Sequence, residues 1–152
     1  MTEKPINIEG RVQLSIPEDW SLDSSTQPLV LSVPKSDVAI QISWLPTESK
    51  HDVTPGYVQT KVLDVISFWQ KQHGAHEARS TVAVEAQEYA TDDGSFAVWA
   101  DVPSRVTSIE RAFSVGRRDW LDGALMITWI GEDQDLPLRN TARKVFESAA
   151  RV

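Results

Sequence analysis

Cysteine is absent from the 152 residues. That excludes a disulfide scaffold, a thiolate zinc site and a thiol nucleophile at once. Positive charge is scarce, with 15 Lys and Arg against 22 Asp and Glu and a formal net charge of -7. A general nucleic-acid-binding surface needs clustered Lys and Arg to neutralise phosphates, so no nucleic-acid partner is expected. No apolar run approaches the ~20 residues that a membrane span requires, and no repeat or Gly/Ser linker interrupts the chain. The polar start Met1-Thr2-Glu3-Lys4 does not read as a signal peptide. A soluble, cytoplasmic protein without a membrane partner is therefore expected.

What remains is a chain of one domain's length with 41% hydrophobic residues, able to bury roughly 70% of its unfolded surface around one core. The first nine residues are polar and expected to be loose; residues 10–152 are expected to form a single α+β domain. Val12 to Ile16 reads as a short strand closed by Pro17, and Leu29 to Val33 as another between Pro28 and Pro34. Val38, Ile40, Ile42 and Trp44 alternate with Ala39, Gln41 and Ser43, the period of a strand with one buried face. Thr54-Pro55 then opens a helix whose stripe is Val58, Val62, Val65, Ile66 and Trp69, with Gly74 as its stop.

Beyond Arg79 the period returns to two. Thr81 to Tyr89 alternates, Asp92-Asp93-Gly94 signals a hairpin, and Phe96, Val98, Ala100 and Val102 share a face opposite Ala97, Trp99 and Asp101. Ile109, Phe113 and Val115 continue the pattern, with Gly116-Arg117-Arg118-Asp119 as a connection into the segment Trp120 to Ile130. Ala124 to Ile130 is apolar on both faces, which calls for a central strand with cover on each side. Asp135 and Pro137 open a last helix with the stripe Leu138, Ala142, Val145, Phe146 and Ala149. The order β-β-β-α-β-β-β-β-α predicts an α+β two-layer sandwich, an antiparallel sheet of six to seven strands with both helices on one face.

The candidate chemistry is thin. His73 and His76 have the spacing of a weak ligand pair, with Glu77 adjacent, but Gly74 should break the helix that would align them; His51 stands in a polar loop. Asp92 with Asp93, and Glu132 and Asp133 with Asp135, could offer oxygens to a hard cation, yet a hairpin turn and helix capping account for them. Asp101 and Glu110 could meet across strands as paired carboxylates, though nothing in the pattern buries them. There is no Gly-x-Ser-x-Gly elbow, phosphate loop or dinucleotide fingerprint. A non-enzymatic protein with no cofactor and no metal is the expectation.

The aromatics say more, with 6 Trp against 2 Tyr. Trp44, Trp69 and Trp129 lie on core stripes. Trp99 lies on the reverse of its strand's apolar stripe. There it can join Met126 and Thr128, and Gln41 and Ser43 on theirs, in a shallow semi-apolar surface suited to a protein partner. The alternative is that a loop or the N-terminal hairpin covers Trp99.

One local pattern points to a family. Ile16-Pro17-Glu18-Asp19-Trp20 follows the first strand, and Asp23 and Ser25 follow it. This apolar-Pro-x-x-Trp step with an Asp-x-Ser pair, and the element order over about residues 10–150, resembles the PsbP-like superfamily. Within it the likeness is to the bacterial DcrB-like branch that includes the Eag chaperones of type VI secretion. Trp20 and Asp23 stand one residue further apart than in that pattern. The resemblance implies a non-enzymatic adaptor or chaperone, binding a polypeptide such as an apolar helix of a secreted effector on its sheet face. A homodimer could join two such faces into a cleft. A small-ligand carrier and an enzyme of another class are the alternatives.

Overall fold

The computed structural model describes residues 2–47, 54–72, 85–89, 91–104 and 111–152. His51, His73, His76, Glu77, Ile109 and Glu110, with the expected helix stop at Gly74 and the strand residues 81–84, lie outside them. The polar N-terminus, expected to be loose, is a strand. β1 (Glu3–Ile8) pairs antiparallel with β2 (Val12–Pro17), Ile8 opposite Val12. Their turn places Glu9 and Gly10 at positive φ, and the Asn7 side chain accepts the Gly10 amide at 2.6 Å. Ile8, Val12, Leu14 and Ile16 are wholly buried. In β1 only Ile6 and Ile8 are apolar, between Lys4, Pro5 and Asn7, too few to display a period.

A second, seven-stranded sheet forms the body of the molecule. Its strands are β3 (Ser21–Asp23), β4 (Leu29–Ser32), β5 (Ala39–Pro46), β6 (Glu85–Tyr89), β7 (Phe96–Val102), β8 (Ala112–Trp120) and β9 (Gly123–Gly131). They lie in the order β3-β4-β5-β9-β8-β7-β6, every pair antiparallel. β9 is the middle strand, as its two-faced apolar run requires. The tetrad Gly116 to Asp119 is not a connection but the second half of β8, and the turn falls at Leu121-Asp122. Gly116 is needed there for close approach: a Cβ on it would lie 2.6 Å from the Trp99 ring and 2.8 Å from that of Phe146.

α1 (Pro55–Gln72) starts where Thr54 Oγ1 accepts the Tyr57 amide at 3.2 Å, and it buries Val58, Val62, Ile66 and Trp69. Its β-branched residues are poor helix formers, so this packing sustains it. α2 (Leu136–Glu147) has Asp135 at its N-cap position, but the Asp135 carboxylate turns back to accept the Glu132 amide at 3.0 Å, capping the 3-10 turn Asp133–Asp135 instead. Beyond α2, β10 (Ala150–Arg151) adds to β2 and completes a three-stranded sheet in the order β1-β2-β10.

The α+β antiparallel sandwich is as expected, but its layering differs. α1 packs with Val98, Ala100, Val102, Phe113 and Val115 on one face of the large sheet. α2 and the three-stranded sheet pack on the other face, against Trp99, Ile127, Trp129, Ile40 and Leu31. The helices therefore lie on opposite faces, and the large sheet is the middle of three layers rather than one of two. The physical reason is that apolar side chains line both faces of β7 and β9, and each face needs its own cover.

Candidate functional site

The face of the large sheet on which α1 lies is only partly covered. Strand register arranges its residues in rows across β8, β9 and β5: Phe113–Ile130–Ala39, Val115–Thr128–Gln41, Arg117–Met126–Ser43 and Asp119–Ala124–Leu45. α1 lies over β7 and β8. On the strands beyond it, Ala39 and Gln41 are exposed, and Ser43, Leu45, Met126, Thr128 and Ile130 half-buried. Gln41 and Thr128 are direct cross-strand partners, as are Ser43 and Met126. Four of the five residues expected to form a binding surface thus converge on one patch.

Trp99 is not among them. It projects from the opposite face, is 1% exposed and packs with its ring centroid 5.5 Å from that of Phe146. Its indole Nε1 donates to Asp101 Oδ1 at 2.8 Å. Ser114 Oγ donates to the same oxygen at 2.6 Å, and Arg139 Nε lies 3.6 Å from it. Trp99 is a core residue, covered by α2 rather than by the N-terminal hairpin. Asp101, weighed as half of a carboxylate pair, is the acceptor that satisfies the buried indole; its supposed partner Glu110 is outside the described residues.

The other acidic candidates are also committed locally. Asp93 accepts from the Ser95 amide and hydroxyl, Arg118 Nη2 and Trp120 Nε1, tying the turn before β7 to β8. Burial alone would raise its pKa, but the bonds from Ser95 and Trp120 and the Arg118 charge outweigh it and hold the carboxyl well below its usual range. A depressed folded pKa contributes stability that is complete above the unfolded value of about 4 and is lost as pH falls from there toward the folded value. Asp93→Asn should therefore lower the melting temperature at neutral pH and flatten its decline below about pH 4; melts across pH with an unchanged acid slope would refute this. Asp23, from the Asp-x-Ser pair, is held low by Ser25, whose hydroxyl and amide donate to Oδ1 at 2.6 and 2.9 Å. With Trp20 3% exposed, that pattern is a turn and a core anchor rather than a reactive site.

Residues that pattern reasoning did not select border the open patch. Tyr57, Lys61, Val65 and Phe68 recur at helical spacing and form one stripe of α1. Tyr57 and Val65 pack against the cluster that also takes in Met126 and Ile130, so this stripe flanks the patch. Phe68 is 62% exposed. Below Tyr57, Arg117, in the row of Met126 and Ser43, is 9% exposed, and Asp119, in the next row with Ala124 and Leu45, is 0% exposed. Arg117 Nε and Nη2 donate to the two Asp119 oxygens at 2.7 and 3.1 Å. The signal was present: 113, 115, 117 and 119 keep period two, but the Gly-Arg-Arg-Asp string reads as a turn.

A separate cleft of about 360 Å³ lies between β6, β7 and the end of α2, lined by Tyr89, Thr91, Ala97, Arg118, Phe146 and Glu147. Exposed Asp92 lies at its rim, while the polar groups of Arg118 and Thr91 are occupied. Arg118 binds Ser95, the Ala149 carbonyl and Asp93, and the Thr91 hydroxyl donates to the Ser95 carbonyl. Burial, and then the Glu147 charge, push the Tyr89 phenol up to about 12.

No protein-family model and no curated protein matches the sequence. Among solved structures, the chain is similar to that of cyanobacterial PsbP (CyanoP) from Synechocystis sp. PCC 6803. The identity is 12% over 99% of this chain and 92% of that one, with a TM-score of 0.57. It also matches LpqN, involved in cell envelope biogenesis of Mycobacterium tuberculosis, at 15% identity over 99% of this chain and 91% of that one, with a TM-score of 0.44. The architecture, with α1 on one face of the antiparallel sheet and α2 with the small sheet on the other, is a PsbP-like fold.

Proposed function

We propose that the protein is a non-enzymatic adaptor or chaperone that binds another polypeptide on the sheet face beside α1, as the Eag members of the DcrB-like branch bind theirs. The observation that carries this reading is the patch itself. Gln41, Ser43, Met126 and Thr128 form two adjacent cross-strand pairs, next to a helix edge that presents Phe68. An adaptable thioether and a large aromatic give apolar contact, and the amide and hydroxyls give hydrogen bonds along a bound chain. The non-enzymatic part is supported by the occupied state of Asp93 and Asp101, whose oxygens already accept from indoles, hydroxyls and amides. A small-ligand carrier would use the cleft at Tyr89, where Arg118 and Thr91 are already engaged.

A photo-crosslinking side chain at Gln41, with one at Gln13 on the three-stranded sheet as control, tests the reading in cells. Both positions are exposed. A discrete polypeptide adduct is expected from position 41 alone, and equal or absent adducts at both would overturn the proposal. Gln41→Arg, a surface change, should shift stability by no more than about 0.5 kcal/mol while abolishing the adduct formed from a crosslinker at position 43.

A further inference from the structure

We propose that the segment bound on this face carries a carboxylate, held by Arg117 and Lys61. This deepens the docking-face reading and rests on it. Arg117 is nine-tenths buried, yet its Nε and Nη2 alone are used by Asp119, which leaves Nη1 with no partner among the described residues. The guanidinium carbon lies 5.8 Å from the Tyr57 ring centroid, and the Lys61 ammonium lies 5.5 Å from the same ring. Lys61 is half-buried and makes no salt bridge among the described residues. Two cations thus reach one aromatic ring at the border of the patch, with Asp119 bound to one of them. The first turn of α1 adds no acidic residue to offset its positive end. Exposed Asp64 stands on the same stripe, one turn from Lys61 and from Phe68. The described charges of this border are therefore Arg117 and Lys61 against Asp119 and Asp64, and the proposal rests on the free Nη1 rather than on an excess of charge.

Chemically, Nη1 offers a charged donor from a guanidinium whose orientation Asp119 and Tyr57 already fix. An acceptor carboxylate loses little entropy in meeting it and gains a charge-assisted bond. Met126, in the same row, and Phe68 on the helix edge supply apolar contact around it. The ligand chemistry that fits is an apolar peptide segment with one Asp or Glu side chain.

The test pans a random peptide display library on the immobilised full chain, with Gln41→Arg as counter-selection so that retained peptides use this face. Enriched peptides should combine apolar residues with an acidic one. A synthetic copy in which that Glu is Gln should bind roughly tenfold or more weakly to the wild type. Lys61→Gln should weaken the Glu peptide severalfold while leaving the Gln peptide unchanged, and the difference between the peptides should shrink with added salt. Face-specific peptides without acidic preference, or equally sensitive to Lys61→Gln in both forms, would overturn this inference and leave the docking face standing. If no peptide distinguishes wild type from Gln41→Arg, the docking face falls, and this inference with it. Sedimentation equilibrium on the wild type and Gln41→Arg covers the remaining occupant. Self-association lost in the variant would assign the face to a second copy of the chain and overturn the inference.

Discussion

Truncating Trp99 to alanine is expected to destabilise the protein by about 3–5 kcal/mol, the range for removing a large aromatic from a core. The residue is 1% exposed, wedged between Phe146 and the backbone at Gly116, where even a methyl group would not fit. Truncation opens a cavity between α2 and the sheet, and it removes the indole donor from Asp101, whose Oδ1 keeps only Ser114 and the more distant Arg139. For a chain of this length each kcal/mol lowers the melting temperature by roughly 2–4 °C, so the variant should melt on the order of 10 °C or more below the wild type. Trp99→Phe keeps most of the packing and should recover much of that loss. A thermal melt in which Trp99→Ala matches the wild type would place the side chain on the surface after all. Loss of a partner in this variant says nothing about the docking face, since the variant first loses its core.

The error about Trp99 has a physical origin. Alternation divides a strand into two faces, but it does not say which face is covered when both are apolar enough to be. In β7, Phe96, Val98 and Ala100 look like the core stripe, and Ala97, Trp99 and Asp101 look like its reverse. The Asp made that reverse face look wet, whereas Asp101 is there to accept from the indole. The stretch Ala124 to Ile130 already demanded cover on both sides, in conflict with two helices on one face, and it was the better guide. By contrast β2, β5 and α1 were legible, because each has one apolar face whose period no polar residue interrupts. β1, β3 and β10 were not, since strands of two to six residues with few apolar positions owe their form to their neighbours.

The candidate site was legible to the extent that it follows from register. Gln41, Ser43, Met126 and Thr128 lie on the reverse faces of β5 and β9, and the alternation in each strand identifies them. That the two strands are neighbours, with Gln41 opposite Thr128, depends on β5 crossing over to pair with the last long strand. The ion pair is local, two residues apart on β8, and was hidden by the turn-like Gly-Arg-Arg-Asp string. The helix edge is a long-range feature, set by where α1 comes to rest. Local period has no access to that placement.

The second large effect concerns the ion pair beside the patch. Arg117→Met should destabilise the protein by about 3–5 kcal/mol, since it leaves Asp119, 0% exposed, without its bidentate donor in a low-dielectric layer. Methionine keeps much of the apolar stem, so the loss would come from the charge left behind rather than from a cavity. Replacing both partners, as Arg117→Met with Asp119→Leu, should restore most of the stability, because an apolar pair of similar volume carries no desolvation cost. The sign of the coupling in a double-mutant cycle followed by denaturant unfolding is the check. A double variant as unstable as the sum of the singles would mean that the two groups do not act as a pair. If stability is restored, the double variant is a folded protein whose docking face lacks the buried guanidinium together with its Asp119 counter-charge. Its preference for the acidic over the neutral form of a face-specific peptide should then shrink to the severalfold share that Lys61 supplies. That separates the observed role of Arg117, whose Nε and Nη2 neutralise Asp119 inside the fold, from the proposed one, in which Nη1 meets the partner's carboxylate.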